Sequence, residues 1–239
     1  MIGYLRRKIR DVVRGNVLEP TLSDWFKFWM HEQNFGFRKN FSPANCYYEF
    51  GVGWGGTMSM FAQSAVEFCE ETGVDINDIY IFGFDSFKGL PDKKSLADDH
   101  LEWEKGSFAF EKEHTLSILE DLNFPLDNVQ LIEGYFEESL NDATFQLLKK
   151  RPPSIVTMDV DYYSSTKIAL EFMAPLLQSG AVFYFDDLYS FHSHPDMGQV
   201  KAIREFNGKY GYLNPTTESK FTEKTFIYSC LEWEHAKEF

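Results

Sequence analysis

From residue 45 onward, apolar runs alternate with amphipathic segments. "CYYEFGV" reads as a strand, an aromatic and apolar run that stops at glycines. "MSMFAQSAVEFCEETG" reads as a helix closed by Gly73. The alternation then repeats through strands "DIYIFGFDSF", "VQLIEGYF", "PSIVTMDVD", "AVFYFDD" and "KTFIYSCL". Helices fall between them: "EHTLSILEDLN", "SLNDATFQLLKK", "STKIALEFMAPLLQSG" ending at Gly180, and "GQVKAIREFNGKYG". This order predicts an α/β fold with a parallel sheet and helices on both faces. Near-continuous apolar strands agree, since such strands are covered on both sides. Upstream, "LSDWFKFWMHEQNF" predicts a helix with Trp25, Phe26, Phe28 and Trp29 on a broad apolar side, capped by Thr21 or Ser23. That helix is either a packing element or part of a lid. Residues 1–239 read as one domain, with a helical N-terminal cap over 1–44 and an α/β core over 45–239.

Composition narrows the function. A 44% hydrophobic and 17% aromatic share supplies a full core and excludes a disordered chain. The formal net charge of −14 argues against nucleic acid and anionic membranes as partners. The basic cluster Arg6, Arg7, Lys8, Arg10 and Arg14 reads as a solvated helix face, with a membrane or partner contact as the alternative. Cys46, Cys69 and Cys230 are odd in number and lack metal-ligand spacing, which points to free thiols in a reducing compartment. Neither a secretory signal nor an apolar run of about 18 residues is present. A cytoplasmic protein without membrane insertion is the expectation.

In parallel sheets of this kind, ligands sit at the carboxyl ends of the strands. The first strand ends in "EFGVGWGGT", where Gly51, Gly53 and Gly56 satisfy G-x-G-x-x-G and the next helix offers unpaired N–H groups. Glu49 lies inside that strand, where a buried carboxylate needs a partner. A cationic ligand group such as the ammonium or sulfonium of S-adenosylmethionine would supply one; main chain or an arginine is the alternative. Asp85 ends the second strand and could accept ribose hydroxyls of S-adenosylmethionine or NAD. Gly134 and Tyr135 follow the third and could flank an adenine.

Asp159 and Asp161 end the fourth strand, and Asp186 and Asp187 the fifth. Four carboxylates this close repel one another unless a positive group sits among them. A hard divalent cation, Mg²⁺ first, is the expected answer. The alternative is helix capping, for which Asp161 before Ser164–Thr166 is a candidate.

The blocks "YYEFGVGWGGT", "GFDSFKGLP", "VQLIEGYFEESL", "MDVDYYSSTKIALEFMAPLLQSGAVFYFDD" and "GQVKAIREF" together resemble the macrocin O-methyltransferase family, over about residues 45–230. The resemblance implies a Rossmann-like class I methyltransferase fold with a seven-stranded, mostly parallel sheet. It also implies an S-adenosylmethionine-dependent, Mg²⁺-assisted enzyme that methylates a sugar hydroxyl. Asp159, Asp186 and Asp187 would then be metal ligands. Glu49, Gly51, Gly53, Thr57, Asp85, Ser86, Gly134 and Tyr135 would hold the cofactor. The family members carry an acid shortly after the aspartate pair as general base, where this chain has Leu188, Tyr189 and Ser190. His192, His194 and Asp161 are the substitutes considered. The acceptor site would be covered by the N-terminal aromatic helix and by the segment "DKKSLADDHLEWEKGSFAF", with Trp103, Phe108 and Phe110. That segment serves equally well as a contact between copies in a homo-oligomer.

Two rival readings remain. An NAD-dependent oxidoreductase or epimerase would use the same glycine turn and Asp85, with Tyr163 and Lys167 at Tyr-x-x-x-Lys spacing. A non-catalytic S-adenosylmethionine-binding module would keep the pocket without turnover.

Overall fold

The computed structural model describes residues 21–36, 45–216 and 223–231. The basic cluster from Arg6 to Arg14, and the rest of the expected cap before Thr21, lie outside the described residues. Seven strands form one sheet: β1 (Cys46–Phe50), β2 (Tyr80–Asp85), β3 (Val129–Glu133), β4 (Ile155–Met158), β5 (Val182–Phe185), β6 (Tyr212–Pro215) and β7 (Thr225–Ser229). Their spatial order is β3-β2-β1-β4-β5-β7-β6. The first five pair in parallel, and β7 runs antiparallel to both β5 and β6. β6 escapes a search for apolar runs because three of its four residues, in "YLNP", are exposed on the sheet edge.

The helices are α1 (Leu22–Asn34), α2 (Gly56–Thr72), α3 (Lys112–Asp121), α4 (Phe136–Ser139), α5 (Asp142–Leu148), α6 (Tyr163–Met173) and α7 (Gly198–Phe206). The pleat sorts the strand residues between two layers. Tyr48, Phe50, Phe84, Met158 and Phe185 face a cluster shared with α6 and α7. Tyr47, Ile81, Ile155 and Val182 face the opposite cluster, shared with α1, α2 and Leu119 of α3. Expected termini shift at several helices: the one read over "GQVKAIREFNGKYG" ends at Phe206, and the one read over "SLNDATFQLLKK" spans Asp142–Leu148. "STKIALEFMAPLLQSG" is helical only to Met173 and tightens into a 3₁₀ turn over Ala174–Leu176 at Pro175, rather than running to Gly180.

Thr21, not Ser23, caps α1. Its hydroxyl accepts from the Asp24 N–H at 3.2 Å, while its own N–H donates to the Asp24 carboxylate at 2.7 Å, a reciprocal capping box. Trp25, Phe26 and Trp29 are fully buried against the sheet and α2. Trp25 Nε1 donates to Thr225 Oγ1 at 2.8 Å. Gln33 Nε2 donates to the carbonyls of Ser154 and Gly180, at the amino ends of β4 and β5. The last turn of α1 thus points away from the carboxyl ends, and the expected lid role for this helix is corrected to packing.

Trp25→Phe keeps most of the ring volume but strands the buried Thr225 hydroxyl. The ligand-free protein should lose about 2–4 kcal/mol of stability, read from urea unfolding midpoints. An unchanged midpoint would contradict the packing role.

Candidate active site

The parallel ladder fixes the site. Main-chain bonds continue one residue beyond the strands: Gly51 N–H to Phe84 O at 2.9 Å, Asp159 N–H to Phe50 O at 2.9 Å, Asp186 N–H to Met158 O at 3.0 Å, and Gly134 N–H to Asp85 O at 2.9 Å. Five strands therefore end at one level, with these residues side by side. Chain order reverses between β1 and β4, which opens a crevice there. A cavity of about 470 Å³ occupies it.

The glycine turn forms one wall. Gly51 has φ +84°, and a Cβ there would come within 1.6 Å of the Asp159 carbonyl oxygen. Only glycine lets β1 turn while touching β4 so closely. Asp85 stabilises the turn from β2: Oδ2 accepts from the Gly53 N–H at 2.9 Å and Oδ1 from the Phe87 N–H at 2.7 Å. The Val52 and Ser86 main chain also interacts with this carboxylate, at the level where the cavity begins. Burial raises the Asp85 pKa, opposed by these main-chain donors. Gly51, Gly53, Thr57, Asp85, Ser86, Gly134 and Tyr135 all line the cavity, and Thr57 stands at the start of α2. Ser86 supports the floor through Gly89 O at 2.9 Å.

Glu49 is placed differently. It is 1% exposed, lies under the cavity rather than on its lining, and is bonded by the Tyr47 hydroxyl at 2.7 Å and by the Met58 main chain. Burial, with Asp159 and Asp85 adding repulsion, holds its pKa well above the usual carboxylate range. The expectation that a cationic ligand group completes its environment is corrected: protein groups already do so.

The opposite wall is acidic. Asp159, Asp161, Asp186 and Asp187 all line the cavity. Oxygens of Asp159, Asp186 and Asp187 lie within 4.8 Å of one another. Oxygens around one hard cation stand about 3 Å apart when adjacent and about 4–5 Å apart when opposite, so a set gathered within this limit suits such an ion in spacing and donor type. Asp186 accepts from the Tyr184 hydroxyl at 2.9 Å and from Lys224 Nζ at 3.2 Å. Asp187 accepts from the Asp161 N–H at 2.9 Å. Burial, then repulsion from Asp187, Asp186 and Asp161, pushes Asp159 up to about 8. Burial and the neighbouring carboxylates also raise Asp161 and Asp187.

Asp161 is not a helix cap. It sits at φ +58°, ahead of an α6 whose N-cap is Tyr162. The capping acid comes from elsewhere: Asp98 Oδ1 accepts the Ser164 N–H at 2.8 Å, and its Oδ2 accepts the Lys94 and Ser95 N–H groups at 2.9 Å each. This fully buried carboxylate ties the segment before it to the start of α6. Sequence reading missed it, although Ser95-x-x-Asp98 has capping-box spacing.

The segment itself is a closed loop. Leu90 N–H bonds Ser107 O at 2.9 Å and Gly106 N–H bonds Leu90 O at 2.9 Å. A Cβ on Gly89 would lie 2.4 Å from the Ser107 carbonyl, so this neck also requires glycine. Phe108 and Phe110 line the cavity mouth as a covering segment would, whereas Trp103 is buried against Leu90, Tyr162 and Phe191.

The histidine assignments are corrected. His192 and His194 are exposed on a turn and neither lines the cavity. His194 Nδ1 accepts the Asp196 N–H at 3.1 Å, a local turn bond. Tyr163 and Lys167 likewise fall outside the cavity, converging on Glu205 of α7 at 2.8 and 2.9 Å. That removes the Tyr-x-x-x-Lys argument for an oxidoreductase.

A Rossmann-like sheet with this strand order, a glycine turn after β1 and acids after β4 and β5 defines the class I methyltransferase architecture. Residues 44–218 match the macrocin-O-methyltransferase (TylF) family, and the chain belongs to it. It is 28% identical over 177 residues to the 8-demethyl-8-(2,3-dimethoxy-α-L-rhamnosyl)-tetracenomycin-C 4′-O-methyltransferase of Streptomyces olivaceus. That match covers 71% of this chain and spans 60% of the relative's length. Two solved structures share the fold. The calicheamicin methyltransferase CalS11 has a TM-score of 0.61 at 21% identity, over 86% of this chain and 77% of that one. The O-methyltransferase NovP has 0.63 at 19% identity, over 88% and 79%.

The acid wall has a stability signature. A carboxyl raised in the folded state keeps its proton there after the unfolded chain has lost it. The folded protein then binds more protons, and stability falls as pH rises from the ordinary 3.8 through about 8 for Asp159. In chelator, Asp159→Asn should therefore raise the melting temperature at pH 8.5 and change it little at pH 4. Equal shifts at both pH values would contradict the repulsion.

Proposed function

We propose that the chain is an S-adenosylmethionine-dependent O-methyltransferase that acts on a sugar hydroxyl with the help of a divalent cation. The observation carrying this reading is the placement of three convergent carboxylates across one cavity from a glycine turn and a ribose-competent aspartate. Gly53, the start of α2 and Asp85 would hold the donor, with Ser86, Gly134 and Tyr135 along its nucleoside. Asp159, Asp186 and Asp187 would hold the cation, with Mg²⁺ suited to a few carboxylates plus water. When bound, such an ion supplies Lewis acidity that lowers the pKa of a nearby hydroxyl.

The rest of the chemistry belongs to the chain. A methyl group moves from sulfur to oxygen by in-line displacement, and the acceptor hydroxyl loses its proton. Asp161 lines the cavity on the acid wall, beside the three-oxygen cluster but outside it, and we assign it as proton acceptor by position. Its N–H holds the Asp187 carboxylate, which fixes the two acids relative to each other. Phe108 and Phe110 would exclude water from the mouth. Fixing the oxygen roughly 3 Å from the methyl carbon supplies much of the remaining rate enhancement. The sugar acceptor draws support from the family and from the printed activity of the Streptomyces relative.

Asp186→Asn should reduce methyl transfer by at least about a hundredfold, the upper end of what loss of a mere outer-shell partner of a metal ligand costs. Calorimetric affinity for S-adenosylmethionine should stay within threefold, with no binding of NAD. Full activity of this variant in chelator, or NAD binding in place of S-adenosylmethionine, would overturn the proposal.

A further inference from the structure

The block "GQVKAIREF" contributes no residue to the cavity lining, yet one of its side chains reaches the base of the acid wall. Gln199, the second residue of α7, is 1% exposed, and its Nε2 donates to the Met158 carbonyl at 3.0 Å. Only the NH₂ end of an amide can bond a carbonyl, so this contact fixes which way the side chain is turned. Its Oε1 is then buried and accepts no hydrogen bond among the described residues. An orphaned buried acceptor costs folding free energy.

The carbonyl that Gln199 holds is where the two acid-bearing strands meet. Met158 O also accepts the Asp186 N–H at 3.0 Å, the last main-chain bond between β4 and β5. The same peptide unit directs its own N–H, that of Asp159, to Phe50 O of β1 at 2.9 Å. Beyond it the chain leaves the sheet, passing through Asp161 at φ +58°. One peptide therefore carries Asp159 directly and Asp186 through a hydrogen bond, and Gln199 ties it to α7. The helix can start this close because Gly198 has φ +50°, and a Cβ there would lie 2.4 Å from the Phe191 ring.

The fold itself has no net use for this amide. The Asp186 N–H already satisfies the Met158 carbonyl. Methionine is unbranched and of similar length, so in place of Gln199 it would strand no partner and would remove the orphaned oxygen. We infer that Gln199 is a positioning residue for the acid wall: it holds the Met158–Asp159 peptide in the orientation that keeps the Asp159 and Asp186 carboxylates gathered for one cation. The inference rests on the cation reading above. Groups behind the ligands of a metal set its affinity by fixing the direction in which the ligands point.

The test compares the full chain with Gln199→Met, both stripped of metal by chelator and dialysed free of it. Mn²⁺ is titrated in, with free ion read by electron paramagnetic resonance. Affinity for S-adenosylhomocysteine is measured by calorimetry and the urea midpoint in chelator. The Mn²⁺ Kd of the variant should rise by about ten- to hundredfold. Its S-adenosylhomocysteine Kd should stay within threefold, and its urea midpoint should be equal to or higher than that of the parent. A side chain that only packs would not move Mn²⁺ affinity at constant stability. An Mn²⁺ Kd within threefold of the parent overturns the inference and leaves the cation reading standing. Weaker Mn²⁺ binding accompanied by a lower urea midpoint, or by an equal loss of S-adenosylhomocysteine affinity, marks a general loosening and overturns it too. No Mn²⁺ bound by the parent chain removes the cation reading, and this inference with it.

Discussion

The structure depends on the register of its parallel strands. β1 pairs with β2 and β4 so that Phe50 lies level with both Phe84 and Met158, and β5 brings Phe185 level with Met158. The next residue on each strand is therefore forced to the same edge. A slip of one residue would turn every side chain to the other face of the sheet. The two aromatic layers prevent that: Phe50 stacks on Phe84 at 4.4 Å on one side, and Tyr47 stacks on Phe61 at 4.0 Å on the other. Core packing thus sets the spacing of Gly51, Asp85, Asp159 and Asp186 to main-chain precision.

That precision is used against stability. The edge collects four aspartates, and burial among like charges raises the proton affinity of Asp159, Asp161 and Asp187, which costs folding free energy at neutral pH. Neighbouring groups limit the cost without removing it. Lys224 and Tyr184 serve Asp186, the Asp161 N–H serves Asp187, and the Glu49 carboxyl below is held by Tyr47. Asp98 adds mechanical support by tying the closed loop after β2 to the N-terminus of α6, immediately behind the acids. A crowd of like charges kept in place by such supports is the pattern of a binding site rather than of a fold-stabilising core.

Much of this was legible in the sequence, because strand runs and their end residues obey short-range rules. The glycine turn, Asp85 and the four aspartates could be placed by knowing only that the strands were parallel. Other features depend on contacts distant in the chain. Glu49 looked like a partner for a cation, but Tyr47, two residues away on the same face, and Met58 across the turn satisfy it. The histidines had suitable chemistry, yet their turn carries them out of the cavity. α1 could have been lid or packing until its Trp25 and Gln33 contacts, about 200 and 120 residues away in sequence, fixed its position. β6 carries no apolar run because only its pairing to β7 makes it a strand.

The central claim is that Asp159, Asp186 and Asp187 hold one cation beside the donor pocket. Crystals grown with Mn²⁺ and S-adenosylhomocysteine, measured at the manganese absorption edge, test it directly. The account predicts one anomalous peak within bonding distance of all three carboxylates, with the sulfur of the ligand turned toward it and the ribose on Asp85. No peak there, with the three side chains turned apart onto main-chain amides, would contradict it.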